Sequence, residues 1–364
     1  MPSIPPSSIE EIRATGIIAP EFAKIWEESP LPPGSFYTLE DLKEVSKLSL
    51  PRTQDILAQS RPEDITEQQH FITLFDGSSS RILVAHRTAD LSVTTPPRPL
   101  ILIFHGGGHT VGNPEGVLPL ARAILKSHPA IIICASYRLA PEYPFPYSLL
   151  DSWTTLDWAA QESRKFKSTI LPICTDPRVG FLVGGESAGA NLAAELSHLA
   201  RDHNLLPRLT GQFLCCGTFM SPEHVPASYK ERYVSWTENK HAPLLDEDLY
   251  AIFRDAFKAE HDSKLWASFN QHHPADSGTG SVKYSHMGIP RTYFQACGLD
   301  MARDDTLIYE RVLREECNIE TRLDLYPGWP HCWWGMYPKL DMTKKRMQDA
   351  VDGVGWLLEN RRKK

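Results

Sequence analysis

A series of short runs in this chain is apolar almost from end to end: LILIF at 100–104, AIIICA at 130–135, GFLVGG at 180–185, GQFLCCG at 211–217 and TYFQACG at 292–298. A strand that alternates apolar and polar residues hides one face, whereas an uninterrupted run hides both. Helical spacing separates the runs. Val117, Leu120, Ala121, Ile124 and Leu125 share one face, as do Leu192, Leu196, Leu199 and Ala200, and residues 147–165 read as helix. TRLDLYPG at 321–328 continues the strand series, and Met347, Val351, Val354 and Leu358 mark a last helix. Strands hidden on both faces and alternating with helices predict an α/β fold, a mostly parallel central sheet with helices on both sides.

The edges of this pattern differ. HFITLF and RILVAHR, joined by Asp76-Gly77-Ser78, read as a hairpin. Residues 1–60 are punctuated by proline and carry amphipathic pieces, with Phe22, Ile25 and Trp26 at helical spacing. Residues 219–288 interrupt the alternation with mixed polarity, aromatics and a helix near 246–259. We expect a main domain over 61–364, with the 219–288 insertion and the 1–60 segment combining as a helical cap over the sheet.

Composition excludes several classes. A net charge of −7 without a basic stripe argues against nucleic acid, and the final Arg361-Arg362-Lys363-Lys364 reads as a solvated chain end. The apolar runs are too short to span a bilayer, and MPSIPPSSIEEIRATG lacks the basic and apolar regions of a signal peptide. Seven cysteines include the adjacent Cys215-Cys216, a spacing that suits neither a disulfide nor a zinc site. Buried free thiols and a cytoplasmic location are the expectation. His272-His273 with Asp276 lie in a polar Pro/Gly/Ser stretch and read as a solvated loop. No metal and no cofactor is expected.

Gly185-Glu186-Ser187-Ala188-Gly189 stands where a strand becomes a helix. A sharp turn there holds the serine out at the C-terminal edge of the sheet, and it needs small neighbours. The alternative is an ordinary turn with Ser187 as an N-cap. His105-Gly106-Gly107-Gly108 ends another buried strand, and consecutive glycines let backbone amides face a developing oxyanion. A phosphate loop would need G-K-[ST], which is missing. In such a fold an acid and then a histidine follow the serine. After residue 300 the only histidine is His331, in YPGWPHCWW. Asp300 ends the preceding strand in YFQACGLDMARDD, with Asp304 and Asp305 one turn later. Asp300 is the choice, because a strand-end loop can present it to the imidazole. An N-cap aspartate and a loop histidine are the plainer alternatives, and the joint order of the three residues argues against them.

HGGG at 105–108, YRLAPEYPFP at 137–146, GESAG at 185–189, GLDMARDD at 298–305 and PH at 330–331 together resemble the hormone-sensitive-lipase-like family of α/β hydrolases, from about residue 68 to the end. The resemblance implies a carboxylic ester hydrolase with Ser187 as nucleophile, His331 as base and then acid, and Asp300 orienting it. It assigns the oxyanion hole to the amides of Gly107, Gly108 and Ala188, a loop-steadying role to His105, and scaffold roles to Tyr137-Arg138 and Pro141-Glu142. Glu186, His109 and DMARDD depart from the usual motif; Glu186 keeps an acid, so little chemical effect is expected. His109, Phe219 and Trp333 are the candidate pocket residues. The expected activity is a serine carboxylesterase on small or medium acyl esters, with a small-molecule substrate and a monomer or homodimer. The alternatives are a biosynthetic thioesterase, acyltransferase or hydrolase with the same triad, and a small-molecule receptor on this fold, which the presence of His331 argues against.

Overall fold

The apolar runs lie side by side at the centre of one eight-stranded sheet. The computed structural model describes the chain apart from residues 1, 32, 33, 35, 36, 93, 166, 167, 264, 268, 270–285 and 360–364. The His272, His273, Asp276 stretch and the basic chain end therefore lie outside the described residues.

The strands are β1 (Ile65–Thr73), β2 (Ser79–Arg87), β3 (Leu100–Phe104), β4 (Ile131–Ala135), β5 (Phe181–Glu186), β6 (Gly211–Cys215), β7 (Arg291–Leu299) and β8 (Thr321–Pro330), in the order β1-β2-β4-β3-β5-β6-β7-β8. The β1–β2 hairpin is antiparallel, β2 runs antiparallel to β4, and every later pair is parallel. Asp76 fixes the hairpin turn by accepting from the amide and hydroxyl of Ser78.

The helices are α1 (Ile9–Ala14), α2 (Pro20–Glu28), α3 (Leu39–Gln59), α4 (Leu118–Ser127), α5 (Tyr147–Glu162), α6 (Ala188–Asp202), α7 (Ser235–Glu238), α8 (Glu247–Phe257), α9 (Arg303–Arg311) and α10 (Asp341–Leu358). The period of two in a strand explains the layers. Leu100, Leu102 and Phe104 of β3 point to a core with Leu156, Leu192, Leu196 and Ile308 from α5, α6 and α9. Ile101 and Ile103 point the other way, to Leu120, Ile124, Val351 and Val354 from α4 and α10. Among the described residues no helix is long and apolar enough to cross a membrane.

Two segments lie outside this frame. Between β6 and β7 the chain forms α7, α8 and short 3₁₀ turns. At the other end, α2 buries Phe22 against Trp329 and Tyr337, and α3 rests on α8. Gly34 donates its amide to Asp246, the residue that also caps α8, at 2.9 Å.

Arg138 ties the hairpin to α5. It holds the fully buried Asp151 through its backbone amide and two guanidinium nitrogens at 2.7–2.9 Å, and reaches Asp76 at 2.6 Å. The guanidinium also stands over the rings of Phe75, Tyr143 and Tyr147. Removing one partner of such a pair strands the other charge. Asp151→Ala is expected to lower unfolding free energy by ~3–5 kcal/mol, to be read from urea titration.

Candidate active site

Ser187 follows β5 directly and precedes α6, with φ +54° and ψ −120°. This backbone is strained for a residue with a side chain. It is imposed by the approach of strand to helix: a Cβ on Gly185 would lie 2.2 Å from the Gly189 carbonyl, and one on Gly189 would lie 2.1 Å from the Phe104 oxygen. Only glycine fits at either place. The Ser187 amide donates to the Cys215 carbonyl at 2.8 Å, fixing the turn. Its hydroxyl does not cap α6. Instead Ser187 Oγ lies 2.9 Å from His331 Nε2.

His331 comes from the turn after β8, and Asp300 from the turn after β7. The His331 Nδ1–Asp300 Oδ2 distance is 2.7 Å. Asp300 is 1% exposed. Its other oxygen accepts the Ala302 amide at 2.9 Å, and its backbone carbonyl accepts from Asn239 at 2.8 Å. Burial pulls the imidazole pKa of His331 down, but the charge and hydrogen bond of Asp300 outweigh it and push it up to about 9.

Asp304 and Asp305 turn away from His331. Asp304 accepts the amides of Val234 and Ser235, each at 2.7 Å. Asp305 accepts the amides of Phe219 and Met220, the Tyr233 hydroxyl and the Trp236 indole N–H. Both acids therefore anchor the chain that follows β6. Burial pushes the Asp305 carboxyl up to about 7, against the pull of those four donors.

The glycine loop lies across from Ser187. Gly107 and Gly108 have φ +113° and +58°. Among the described residues, no protein acceptor pairs the amides of Gly107, Gly108 and Ala188. The loop is held from below by Tyr137, whose hydroxyl donates to the His105 carbonyl at 2.8 Å and whose ring stacks on the imidazole. From above, the Phe253 ring of α8 lies flush on Gly108. His109 lines the cavity and stacks on Phe257 at 4.1 Å, with Nδ1 3.1 Å from the Ser148 hydroxyl. Burial pushes His105 down to about 4 and His109 down to about 3, so both rings are neutral packing elements.

A cavity of about 610 Å³ opens over Ser187 and His331. Leu249, Phe253, Phe257 and Trp266 roof it, and Ser46 of α3 reaches its wall. Two expected pocket residues are elsewhere. Phe219 is fully buried against Phe294 and Tyr309, because Asp305 holds its amide and turns the ring under α9. Trp333 is fully buried against Tyr326 and Trp329, with its indole N–H on Thr343. Its neighbour Trp334 takes the wall position.

Trp334 belongs to a group the sequence does not reveal. Its indole donates to Glu186 at 3.3 Å, Glu186 pairs with the buried Arg346 at 2.5 Å, and that guanidinium lies 3.8 Å from the Trp334 ring centre. The acid before the serine thus fixes the histidine loop to α10. No local signal marks Arg346, which is 160 residues from its partner.

A family model described as alpha/beta hydrolase fold matches residues 101–335. An AB hydrolase superfamily protein of Schizosaccharomyces pombe is 31% identical over 302 residues, 83% of each chain. The versiconal hemiacetal acetate esterase of Dothistroma septosporum is 29% identical over 279 residues, 76% of this chain and 78% of the relative. The crystal structure of vibralactone cyclase superposes with a TM-score of 0.81 at 26% identity, covering 98% of both chains.

Activity and stability both test the electrostatics. A base must be neutral to act, so kcat/KM should rise with pH along a limb whose pKa lies above the ordinary histidine value of ~6.5, and Asp300→Asn should lower that pKa and cut kcat by ~10⁴-fold. With its folded pKa raised to about 9, the pair's contribution to stability is full below the unfolded value and fades as pH rises through about 9. Asp305→Ala leaves two buried amides and two half-buried side-chain donors without their acceptor, and should lower stability by ~3 kcal/mol or more in a thermal melt.

Proposed function

The chain belongs to the hormone-sensitive-lipase-like family of α/β hydrolases, and on that premise we propose that it is a serine hydrolase that cleaves carboxylic esters of small or medium acyl chains through an acyl-enzyme on Ser187. The observation that carries this reading is the continuous contact from Ser187 Oγ through His331 to the buried Asp300, at 2.9 and 2.7 Å, beneath an apolar cavity.

In this reading Ser187 Oγ attacks the ester carbonyl while His331 Nε2 takes its proton. Asp300 holds the imidazole in the tautomer that presents Nε2, and stabilises the imidazolium. The carbonyl oxygen gains its charge facing the amides of Gly107, Gly108 and Ala188, at the N-terminus of α6. Collapse of the tetrahedral species breaks the bond to the alkoxy oxygen, which leaves as the alcohol with the proton from His331. Water then gives its proton to His331 and attacks the acyl carbonyl, releasing the acid and restoring Ser187. Residues 1–60 and 219–288 serve as the cap: α8 roofs the cavity, and α3 braces α8. A volume of about 610 Å³ lies within the range that encloses ligands larger than a simple acetate, ~300–1,000 Å³.

One observation favours a second reading. The likeness to vibralactone cyclase covers 98% of both chains. A hydroxyl of the substrate or of a second molecule would then take the acyl group in place of water.

Purified enzyme and Ser187→Ala would be compared on p-nitrophenyl esters from acetate to palmitate. The expected result is turnover of short and medium chains that falls ~10⁴-fold or more in the variant. One equivalent of nitrophenol without turnover would shift the reading to acyl transfer. A chain that releases no nitrophenol from any ester and does not react with serine-directed phosphonates would refute both.

A further inference from the structure

The cysteines behind the histidine loop form a group that ester cleavage does not use. Cys216 leaves the end of β6 and Cys297 lies in β7. The parallel register that sets Cys215 opposite Gln295 brings the sulfurs of Cys216 and Cys297 to 3.1 Å. Those sulfurs and a carboxylate oxygen of Asp300 all lie within 4.8 Å of one another, and all three residues are buried. Cys332 follows His331 and stands in the cavity wall only partly covered. Of the three thiols, Cys332 alone lines the cavity, and the other two lie buried behind it.

We propose that Cys216, Cys297 and Asp300 bind a thiophilic divalent cation of the zinc class, and that its binding stops ester cleavage by drawing Asp300 away from His331. Two features select this chemistry. Two sulfurs and one carboxylate are a borderline-soft donor set, suited to Zn²⁺ or Cd²⁺ and unsuited to Mg²⁺ or Ca²⁺. Two thiolates at ~2.3 Å from a tetrahedral zinc stand ~3.8 Å apart, so the pair must open by only ~0.7 Å from its present spacing. Each metal–sulfur bond replaces a thiol S–H bond, so binding through both sulfurs releases two protons to water.

The effect on activity follows from what Asp300 already does. One of its oxygens holds His331 Nδ1 and the other the Ala302 amide. A metal on that carboxylate competes with the imidazole for its charge. The inhibitory half of the proposal rests on reading His331 as the catalytic base; the binding half does not. Sequence spacing conceals the site, because the partner of Cys216 is on a neighbouring strand 81 residues away and not at Cys215.

The test titrates the reduced, metal-free full chain with Cd²⁺, following the ultraviolet sulfur-to-cadmium charge-transfer band and p-nitrophenyl ester turnover together. The expected result is a band that saturates at one equivalent, turnover that falls in parallel by ~10²-fold or more, and recovery of both with EDTA. Cys297→Ser should lose the band and keep its turnover at the same Cd²⁺ concentration. Absence of the band, or equal inhibition of Cys297→Ser, overturns the site; a band without inhibition overturns the coupling to Asp300. If the variant fails to fold, X-ray absorption on the zinc-loaded wild-type chain counts the sulfur ligands, and fewer than two overturns the site. The band and the sulfur count decide the binding half even for a chain inert to every ester.

Discussion

The close approach of β5 to α6 governs the geometry of this molecule. Gly185 and Gly189 meet where no Cβ could stand, and Gly189 in turn presses on the last carbonyls of β3. That contact forces Ser187 into a left-handed backbone and lifts its hydroxyl above the sheet edge. The same turn aims the first amides of α6 across the opening. The loops after β3, β7 and β8 all leave the same edge of a parallel sheet, so residues far apart in sequence face one small volume. The glycines are therefore the origin of the site's shape, and the polar residues occupy what that contact makes available.

The acidic loop after β7 divides its work in a way that joins the reaction centre to the chain above it. Asp300 faces His331, whereas Asp304 and Asp305, one helical turn on, hold the start of the insertion through six hydrogen bonds to residues 219–236. Phe253 and Phe257 complete the link from the far side by resting on Gly108 and His109. The roof is thus fastened both to the loop that carries Asp300 and to the glycine loop across from Ser187. A change in the roof reaches the reacting groups through a few short contacts.

Much of this was legible in the sequence because it depends on local rules. A strand buried on both faces must be largely apolar, and β3 and β4 are so throughout. A nucleophile on a strained turn needs glycine on both sides, and GESAG provides it. The less legible features depend on direction and register. Phe219 and Trp333 stand beside cavity residues in the chain, yet each points into a core, because an amide–carboxylate contact or a packing neighbour sets the side chain's exit. The pairing of Glu186 with Arg346 and of Cys216 with Cys297 depends on which elements become neighbours across 160 and 81 residues, and composition holds no trace of that.

The attachment of the histidine loop to α10 has a consequence in time. Ser187 and His331 are separated by 144 residues, and Glu186 and Arg346 by 160. At ribosomal rates the turn at Ser187 is made on the order of 10 s before the arginine that secures the histidine loop. During that interval β3 to β6 can pair, while the last two strands and the final helix are still being synthesised. The nascent chain is consequently a half-sheet, and the contact that secures the histidine loop forms only after α10 docks. In the proposed reading, the docking of that helix and the onset of reactivity are the same event.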